Sequence, residues 1–181
     1  MARPQQKRVT LGGAYEASGT AGEWADKRSH TPLSFDIRFV GHSWHDSDSG
    51  ESLMLGELRI ADVTERFAAV MGPWDARDYQ RQWLEGIERL LNGATRSALV
   101  VSISPRQASD YRQWLPMWRE GQTVYLQVQF MDWTAGDLKD DPAKLYDAIG
   151  LLVRENEEGD QYATHETSVD ELRRFVKQCS P

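Results

Sequence analysis

Hydrophobic residues in the middle of the chain recur at the period of an α-helix. In residues 74–93 the apolar positions are four, four, three and one residues apart, namely Tyr79, Trp83, Ile87, Leu90 and Leu91. This spacing puts them on one stripe of a helix. Asp75 is a suitable N-cap, and Asn92-Gly93 is a typical left-handed stop. The pattern predicts a long helix at about 75–92, and Gly86 inside it indicates that another element packs closely there.

Four other segments have apolar patterns typical of β-strands. Residues 35–39 and 123–130 alternate between apolar and polar side chains, and residues 97–103 form the continuous apolar run of a buried strand. Residues 53–60 also alternate, but their apolar positions change parity at Gly56, which predicts a bulge or a tight bend. We expect 97–103 and 123–130 to pair in antiparallel fashion.

The remaining segments predict short elements and loops. They are a short helix or irregular crossing at 62–71, an unassigned segment at 114–119, a short helix at 143–149, a hairpin or loop pair made of 151–154 and 161–164, and a C-terminal helix at about 169–178 that starts with the capping box Ser168–Glu171. Helices are interspersed among strands without strict alternation. This order predicts a single α+β domain over 32–181 with a mainly antiparallel sheet, preceded by a flexible tail over 1–31.

Composition narrows the class of protein. The chain has 181 residues, a net charge of −7 and one cysteine. This charge argues against nucleic-acid or anionic-membrane binding as the main function. A single cysteine, Cys179, allows neither an internal disulfide nor a Cys-based zinc site, which fits a reducing cytoplasm. No run reaches the roughly 20 apolar residues of a membrane span.

The negative charge is concentrated in one region. Residues 132–171 contain twelve acidic residues against three basic ones, while the rest of the chain is slightly basic. One interpretation is a solvated face that keeps the protein soluble. The other is a surface that meets a basic partner.

Candidate catalytic chemistry is sparse. Two imidazoles and two carboxylates lie within His42–Asp48, and this cluster is either a divalent metal site or a polar hairpin loop. His165 beside Glu166 has the composition of a general base with its orienting carboxylate, although no nucleophile lies near them in sequence. Cys179 is expected to be inert. No phosphate-binding glycine loop, nucleophile elbow or calcium loop is found.

Several segments together resemble a family of immunity proteins from contact-dependent growth inhibition and related polymorphic toxin systems. The segments are LGELRIADVTERF, the helix with Trp74, Tyr79, Gln82 and Trp83, the strand Ser97-Ala98-Leu99, Glu120-Gly121 before Val124–Gln127, Ile149-Gly150 with Arg154, Glu158-Gly159, and Ser168–Phe175. The likeness covers residues 53–177. The residues before Phe35 and the stretch His165–Thr167 depart from the family pattern.

The resemblance implies an intracellular antidote without catalysis or cofactor, which binds the C-terminal domain of a cognate toxin, commonly a nuclease, and blocks its active site or substrate groove. The partner residues are chosen from charge alone, because the family implies no fixed binding residues; they are Asp140, Asp141, Glu155, Glu157, Glu158, Asp160 and Glu166. Trp114 and Trp118, four residues apart, are either buried core or an exposed aromatic pair that anchors the partner.

Two other hypotheses stay open at the level of sequence. One is a small metal-dependent enzyme that uses His42, His45 and Asp46. The other is a scaffold or regulatory domain that has no toxin partner.

Overall fold

The fold is described from a computed structural model, which covers residues 35–72, 74–103, 111–132, 142–155 and 158–179. In these residues the elements are β1 (Phe35–His45), β2 (Ser52–Ile60), β3 (Val63–Met71), α1 (Ala76–Leu91), β4 (Arg96–Ile103), β5 (Tyr111–Glu120), β6 (Thr123–Gln127), β7 (Gln129–Asp132), α2 (Pro142–Asp147), β8 (Thr164–Ser168) and α3 (Val169–Cys179). The tail predicted over 1–31 lies outside the described residues. The mixture of helices and antiparallel strands confirms the predicted α+β class.

The first sheet is an antiparallel meander in the order β1-β2-β3. The helix or crossing predicted at 62–71 is therefore wrong, since these residues are β3 and pair with β2 without interruption from Ser52↔Met71 to Ile60↔Val63. Gly56 lies opposite Phe67, whose ring occupies the space that a Cβ would need. The register irregularity predicted at Gly56 is on the neighbouring strand, between Phe39 and Ser43 of β1.

The second sheet has the order β4-β5-β6-β8, and β7 also pairs with β5. The pairing predicted between 97–103 and 123–130 is wrong, because β5 lies between them and pairs with β4 on one side and β6 on the other. The unassigned segment 114–119 belongs to this central strand.

A proline in β5 explains why the predicted strand 123–130 is split into β6 and β7. Pro116 lies opposite Ala98 of β4, and the carbonyl oxygen of Ala98 is directed away from β5, toward Gln82 of α1. The backbone nitrogen of Pro116 therefore faces the β6 side, where it has no N–H to donate. Pairing with β6 stops at Met117↔Leu126 and resumes with β7 at Trp114↔Gln129.

The helix α1 seals the outer edge of β4 and joins the two sheets. Asp75 caps the helix by accepting hydrogen bonds from the backbone N–H groups of Arg77 and Asp78, as predicted for its N-terminus. The buried hydroxyl of Tyr79 donates to the carbonyl of Val70 in β3 (2.9 Å) and accepts from the N–H of Ile103 in β4 (3.0 Å). A single side chain thus ties together the backbones of both sheets.

The C-terminal helix closes the other side of the core. Phe175 of α3 packs edge-to-face on Phe35 of β1, with ring centroids 5.4 Å apart. Ser168 caps the helix by accepting from the backbone N–H of Glu171 at 3.2 Å, as the predicted capping box requires of its serine. The first strand and the last helix of the described residues therefore pack against each other.

Candidate partner-binding surface

A segment without regular secondary structure crosses one face of the second sheet. We call residues 149–155 the cross-sheet segment; three of its carbonyl oxygens accept hydrogen bonds from side chains of three neighbouring strands. The pairs are Arg96 Nη1 to Ile149 O, Trp118 Nε1 to Gly150 O, and Gln127 Nε2 to Val153 O, each at 2.9 Å. These contacts from β4, β5 and β6 hold the segment against the sheet.

The Gln127 amide holds the end of this segment by a small hydrogen-bond network. Besides Val153, its Nε2 donates to Oγ1 of Thr164 on β8 at 2.9 Å. Its Oε1 accepts from Nε2 of Gln129 at 3.0 Å. The amide is buried and its donor and acceptor atoms both have partners, so it is a rigid support.

The side chains of the cross-sheet segment divide between the core and solvent. Leu152 is half-buried and packs against the core. Leu151 and Val153, on either side of it, are 75% and 51% exposed. Among the described residues the other exposed large apolar side chains are Trp44 and Val63, on the first sheet. The segment therefore presents two neighbouring aliphatic side chains to solvent.

An acidic hairpin follows directly. It is closed by an antiparallel bridge between Glu155 and Gln161, whose side chains are also joined by a hydrogen bond from Gln161 Nε2 to Glu155 Oε2 at 2.8 Å. Glu155, Glu158 and Asp160 are all exposed. We use the name acidic hairpin for residues 155 and 158–161. Three of the carboxylates predicted to bind a partner are thus brought together beside the exposed aliphatic pair.

Glu166 lies on the same side of the sheet. It is exposed on β8 directly opposite Tyr125 of β6, and directly opposed residues in an antiparallel pair project from the same face. The guanidinium of Arg154, in the cross-sheet segment, stacks over the Tyr125 ring at 4.4 Å from its centroid. Asp140, Asp141 and Glu157, the other predicted carboxylates, lie outside the described residues.

The charge of the acidic region is uneven. On α3, Asp170 pairs with Arg173 at 2.7 Å, and Glu171 pairs with Arg174. These two arginines directly follow the acidic region in sequence, so they offset its last two carboxylates. The two acidic residues of α3 are therefore paired with arginines of the same helix, whereas Glu155, Glu158 and Asp160 bring exposed negative charge to the hairpin.

The two tryptophans have a structural role. Trp114 and Trp118 are only 5% and 6% exposed, within the core, so the exposed aromatic pair that the sequence left open is wrong. Both lie on β5, a strand rather than a helix, and three apolar residues separate them; the Trp118 indole holds Gly150. Trp118 thus helps to position the cross-sheet segment.

The metal-site hypothesis finds no support in the geometry. His42 and His45 are exposed on β1, and the Asp46 carboxylate closes the following turn by accepting from the N–H of Ser49 (3.0 Å) and its hydroxyl (2.5 Å). These hydrogen bonds lower the pKa of Asp46. Within the described residues no three His, Cys, Asp or Glu side chains are placed to hold a metal ion.

The structure also separates His165 from Glu166, the second candidate for catalysis. Neighbouring residues of a strand project to opposite faces, so Glu166 does not orient His165. The His165 Nε2 instead lies 3.2 Å from a carboxylate oxygen of Glu65 on β3, which links the two sheets. Burial raises the pKa of the Cys179 thiol, which lowers its thiolate fraction and fits the inert role expected for it.

A cavity of about 450 Å³ lies at the start of α1, lined in part by Met54, Met71 and Trp74. Among the described residues that line it, the one acid is Asp75. Its carboxylate is engaged in capping the helix. The arrangement offers an apolar depression rather than a pair of groups for acid–base chemistry.

The comparison with known protein families gives the identity. The CdiI N-terminal domain family matches residues 69–175, from β3 to α3, which is more than half of the chain. The chain belongs to this family. The match includes α1, the central strand β5 and the whole cross-sheet segment. It confirms the resemblance inferred from the sequence.

Two similar proteins place this membership in context. The chain is 30% identical over 82 residues to the immunity protein CdiI of Enterobacter cloacae subsp. cloacae, an overlap of 45% of this chain and 56% of that protein. The matched part thus spans little more than half the length of that relative. In fold, the chain is similar to a chain of the CdiA-CT/CdiI toxin and immunity complex from Enterobacter cloacae, with a TM-score of 0.67 and 21% identity over 80% of this chain and 97% of that one.

The structure also identifies two exposed residues and one buried residue whose positions the sequence did not predict. Leu151 and Val153 belong to a short apolar run, Leu151-Leu152-Val153, without a period that would separate inner from outer positions. The alternation over residues 123–130 puts Gln127 on the polar face of the strand, yet it is buried. The exposure of the aliphatic pair and the burial of Gln127 both depend on the later segment that crosses the sheet.

None of the helices in the described part of the chain has the length and apolar character that a membrane-spanning helix needs.

Proposed function

We propose that this chain is an immunity protein that binds the C-terminal toxin domain of its cognate CdiA-like protein and neutralises it. The observation that carries the proposal is membership of the CdiI N-terminal domain family over residues 69–175. The similarity in fold to a chain of a toxin and immunity complex supports it. Inhibition is by occupancy, and the protein performs no reaction of its own.

We further propose that the toxin is a nuclease with a basic substrate groove, and that the acidic hairpin faces it. A nuclease needs positive charge to hold phosphates. Exposed carboxylates at Glu155, Glu158 and Asp160 suit such a surface in sign, and complementary charge accelerates encounter. Occupying the groove would exclude nucleic acid. Glu166 on β8 extends the same negative face.

The compartment follows from the proposed activity. An antidote must meet its toxin where the toxin acts, and nucleic acid substrates are in the cytoplasm. The single cysteine forms no disulfide, which is compatible with a reducing compartment. We therefore assign the protein to the cytoplasm.

Growth rescue with purified-complex analysis tests the function. The toxin domain encoded beside this chain is expressed from an inducible promoter, with and without the full chain. We expect the toxin alone to arrest growth, the chain to restore it, and a one-to-one complex to elute in gel filtration. A chain that neither restores growth nor binds that domain would contradict the proposal and favour the scaffold alternative.

The nuclease component needs a separate readout. Purified toxin is incubated with cellular RNA and DNA, with and without one equivalent of the immunity protein. Nucleic acid cleavage that stops on addition of the chain is the expected result. Growth rescue without any nuclease activity of the toxin would keep the immunity function and remove the nuclease part.

A further inference from the structure

We propose that Leu151 and Val153 form the apolar anchor of the toxin interface, and that they insert into an apolar depression rimmed by Lys and Arg on the toxin. This inference rests on the proposed function and identifies the contact that gives it affinity. The occupant is a protein surface of stated chemistry. The acidic hairpin supplies the matching rim on this chain.

The first argument is the unusual exposure of the two side chains. Leu151 is 75% exposed and Val153 51%, although removing aliphatic side chains from water is favourable. Leu152 between them packs against the core. One apolar side chain of the segment thus contributes to the core, and two others remain exposed to solvent.

The second argument is the rigidity of the support. The three carbonyl contacts from Arg96, Trp118 and Gln127 hold the segment at both ends of the exposed pair. The N–H of Tyr162 also donates to the carbonyl of Arg154 at 2.8 Å. A ridge that is already ordered loses little conformational entropy on binding. Side chains presented in this way contribute more of their burial to affinity.

The third argument is the charge around the pair. Glu155 lies two residues beyond Val153, and the rest of the acidic hairpin continues from it. An apolar centre with a charged, solvated rim is the usual arrangement of binding hot spots. The rim is negative here, so the complementary rim of the partner is positive. This requirement matches the basic groove of the proposed toxin.

The other exposed apolar side chains lack this combination. Val63, 40% exposed, lies at the start of β3, directly after the turn that follows β2. Trp44 lies on the exposed part of β1 near two histidines. Neither belongs to a segment held across a sheet by side-chain donors among the described residues. Val63 is therefore a matched control for Val153.

The test compares the double variant Leu151→Gln and Val153→Thr with Val63→Thr. All three substitutions approximately keep the volume of the side chain and make an exposed apolar side chain polar. Toxin affinity is measured by surface plasmon resonance at low and high ionic strength, with circular dichroism melting as the folding check. We expect the double variant to weaken binding by about tenfold or more, mainly through faster dissociation, and Val63→Thr to bind like the wild type.

The salt dependence separates an apolar anchor from a charged contact. The loss caused by the double variant should be similar at both ionic strengths, because apolar burial is not screened by salt. Unchanged affinity of the double variant, with a wild type that binds, would overturn the anchor and leave the immunity function intact. A wild type that binds no toxin would overturn both.

Hydrogen exchange of the unmodified protein gives an independent result. Amides of residues 151–155 should exchange more slowly in the complex than in the isolated chain, since the toxin covers them. Unchanged exchange there, together with protection elsewhere, would place the interface on another surface and reject the anchor.

Discussion

A Cβ on Gly86 would lie 2.5 Å from the carbonyl oxygen of Ala98, so the middle of α1 touches the backbone of β4. The Ser97 hydroxyl confirms this close approach by donating to the Gly86 carbonyl at 2.6 Å. Because the helix is so near, the Gln82 amide donates to Ala98 O (2.9 Å) and accepts from Val100 N–H (2.8 Å), as a neighbouring strand would. The helix thereby protects an edge that would otherwise be open to pairing.

Replacing Gly86 with alanine should destabilise the protein. Helix propensity alone favours alanine by about 1 kcal/mol. The added methyl group meets backbone atoms of β4, which cannot rotate away, and we expect a net loss of roughly 1–3 kcal/mol in the free energy of unfolding. Urea denaturation followed by circular dichroism measures it.

Gly72→Ala is the control for this substitution, since nothing lies within 4 Å of a Cβ at Gly72. It should be neutral or slightly stabilising. Equal or greater stability of Gly86→Ala relative to the wild type would contradict the close contact.

Replacing Gln82 with leucine should remove the seal on β4. The substitution keeps a buried side chain of similar size but leaves the carbonyl of Ala98 and the N–H of Val100 without these partners. We expect a loss of roughly 2–4 kcal/mol in the free energy of unfolding, because buried unpaired backbone groups are costly. Gln80→Leu, exposed on the same helix, should change stability little; similar losses for both would show that helix composition is responsible.

The helix α1 could be predicted because its signals are local. The apolar period, the Asp75 cap and the Asn92-Gly93 stop all lie within the segment, and the packing at Gly86 followed from the cost of an interior glycine. The prediction failed for β3 because its residues fit a helix as well as a strand. Its conformation depends on β2, where Phe67 covers Gly56.

The order of the second sheet could not be predicted for a related reason. A proline such as Pro116 is unusual in a central strand. It is tolerated in β5 because its backbone nitrogen faces away from β4, so the pairing with β4 needs no N–H from it. The position of β5 in turn decides which residues of the candidate site are accessible. Trp118 turns inward to hold Gly150, while Leu151 stays outside. The distribution of charged residues in the sequence was enough to find the acidic hairpin. The exposure of Leu151 and Val153 could be seen only in the folded structure.

Replacing Asp36 with asparagine should stabilise the protein at neutral pH and have little effect in acid. Burial raises the pKa of Asp36 above its ordinary value of 3.8, against the opposing influence of Arg38 and Arg59. The folded state therefore binds the proton more tightly than the unfolded state does. The stabilisation that comes from this tighter proton binding is complete below the ordinary pKa of Asp36 and is lost as the pH rises through the raised pKa.

Thermal melts of Asp36→Asn and the wild type at several pH values measure this difference. The variant should melt higher at about pH 7, and the two curves should converge as the pH falls below the ordinary pKa of the carboxyl group. A variant that melts lower at neutral pH would indicate that the ion pair with Arg38, 3.5 Å away, outweighs the cost of burial.

The acidic hairpin should govern the rate of toxin binding rather than the lifetime of the complex. The double variant Glu158→Gln and Asp160→Asn removes two exposed charges without changing side-chain size, and we expect the association rate constant to fall roughly tenfold at low ionic strength. The dissociation rate constant should change little, because solvated rim charges act mainly on encounter. The matched variant Glu85→Gln and Glu88→Gln removes two exposed charges from α1 and should slow association much less.

Stopped-flow fluorescence over a range of salt concentrations measures the association and dissociation rates of both variants and the wild type. Equal slowing by both variants would mean that net charge steers the toxin, whereas a wild-type rate insensitive to salt would exclude electrostatic steering by the hairpin.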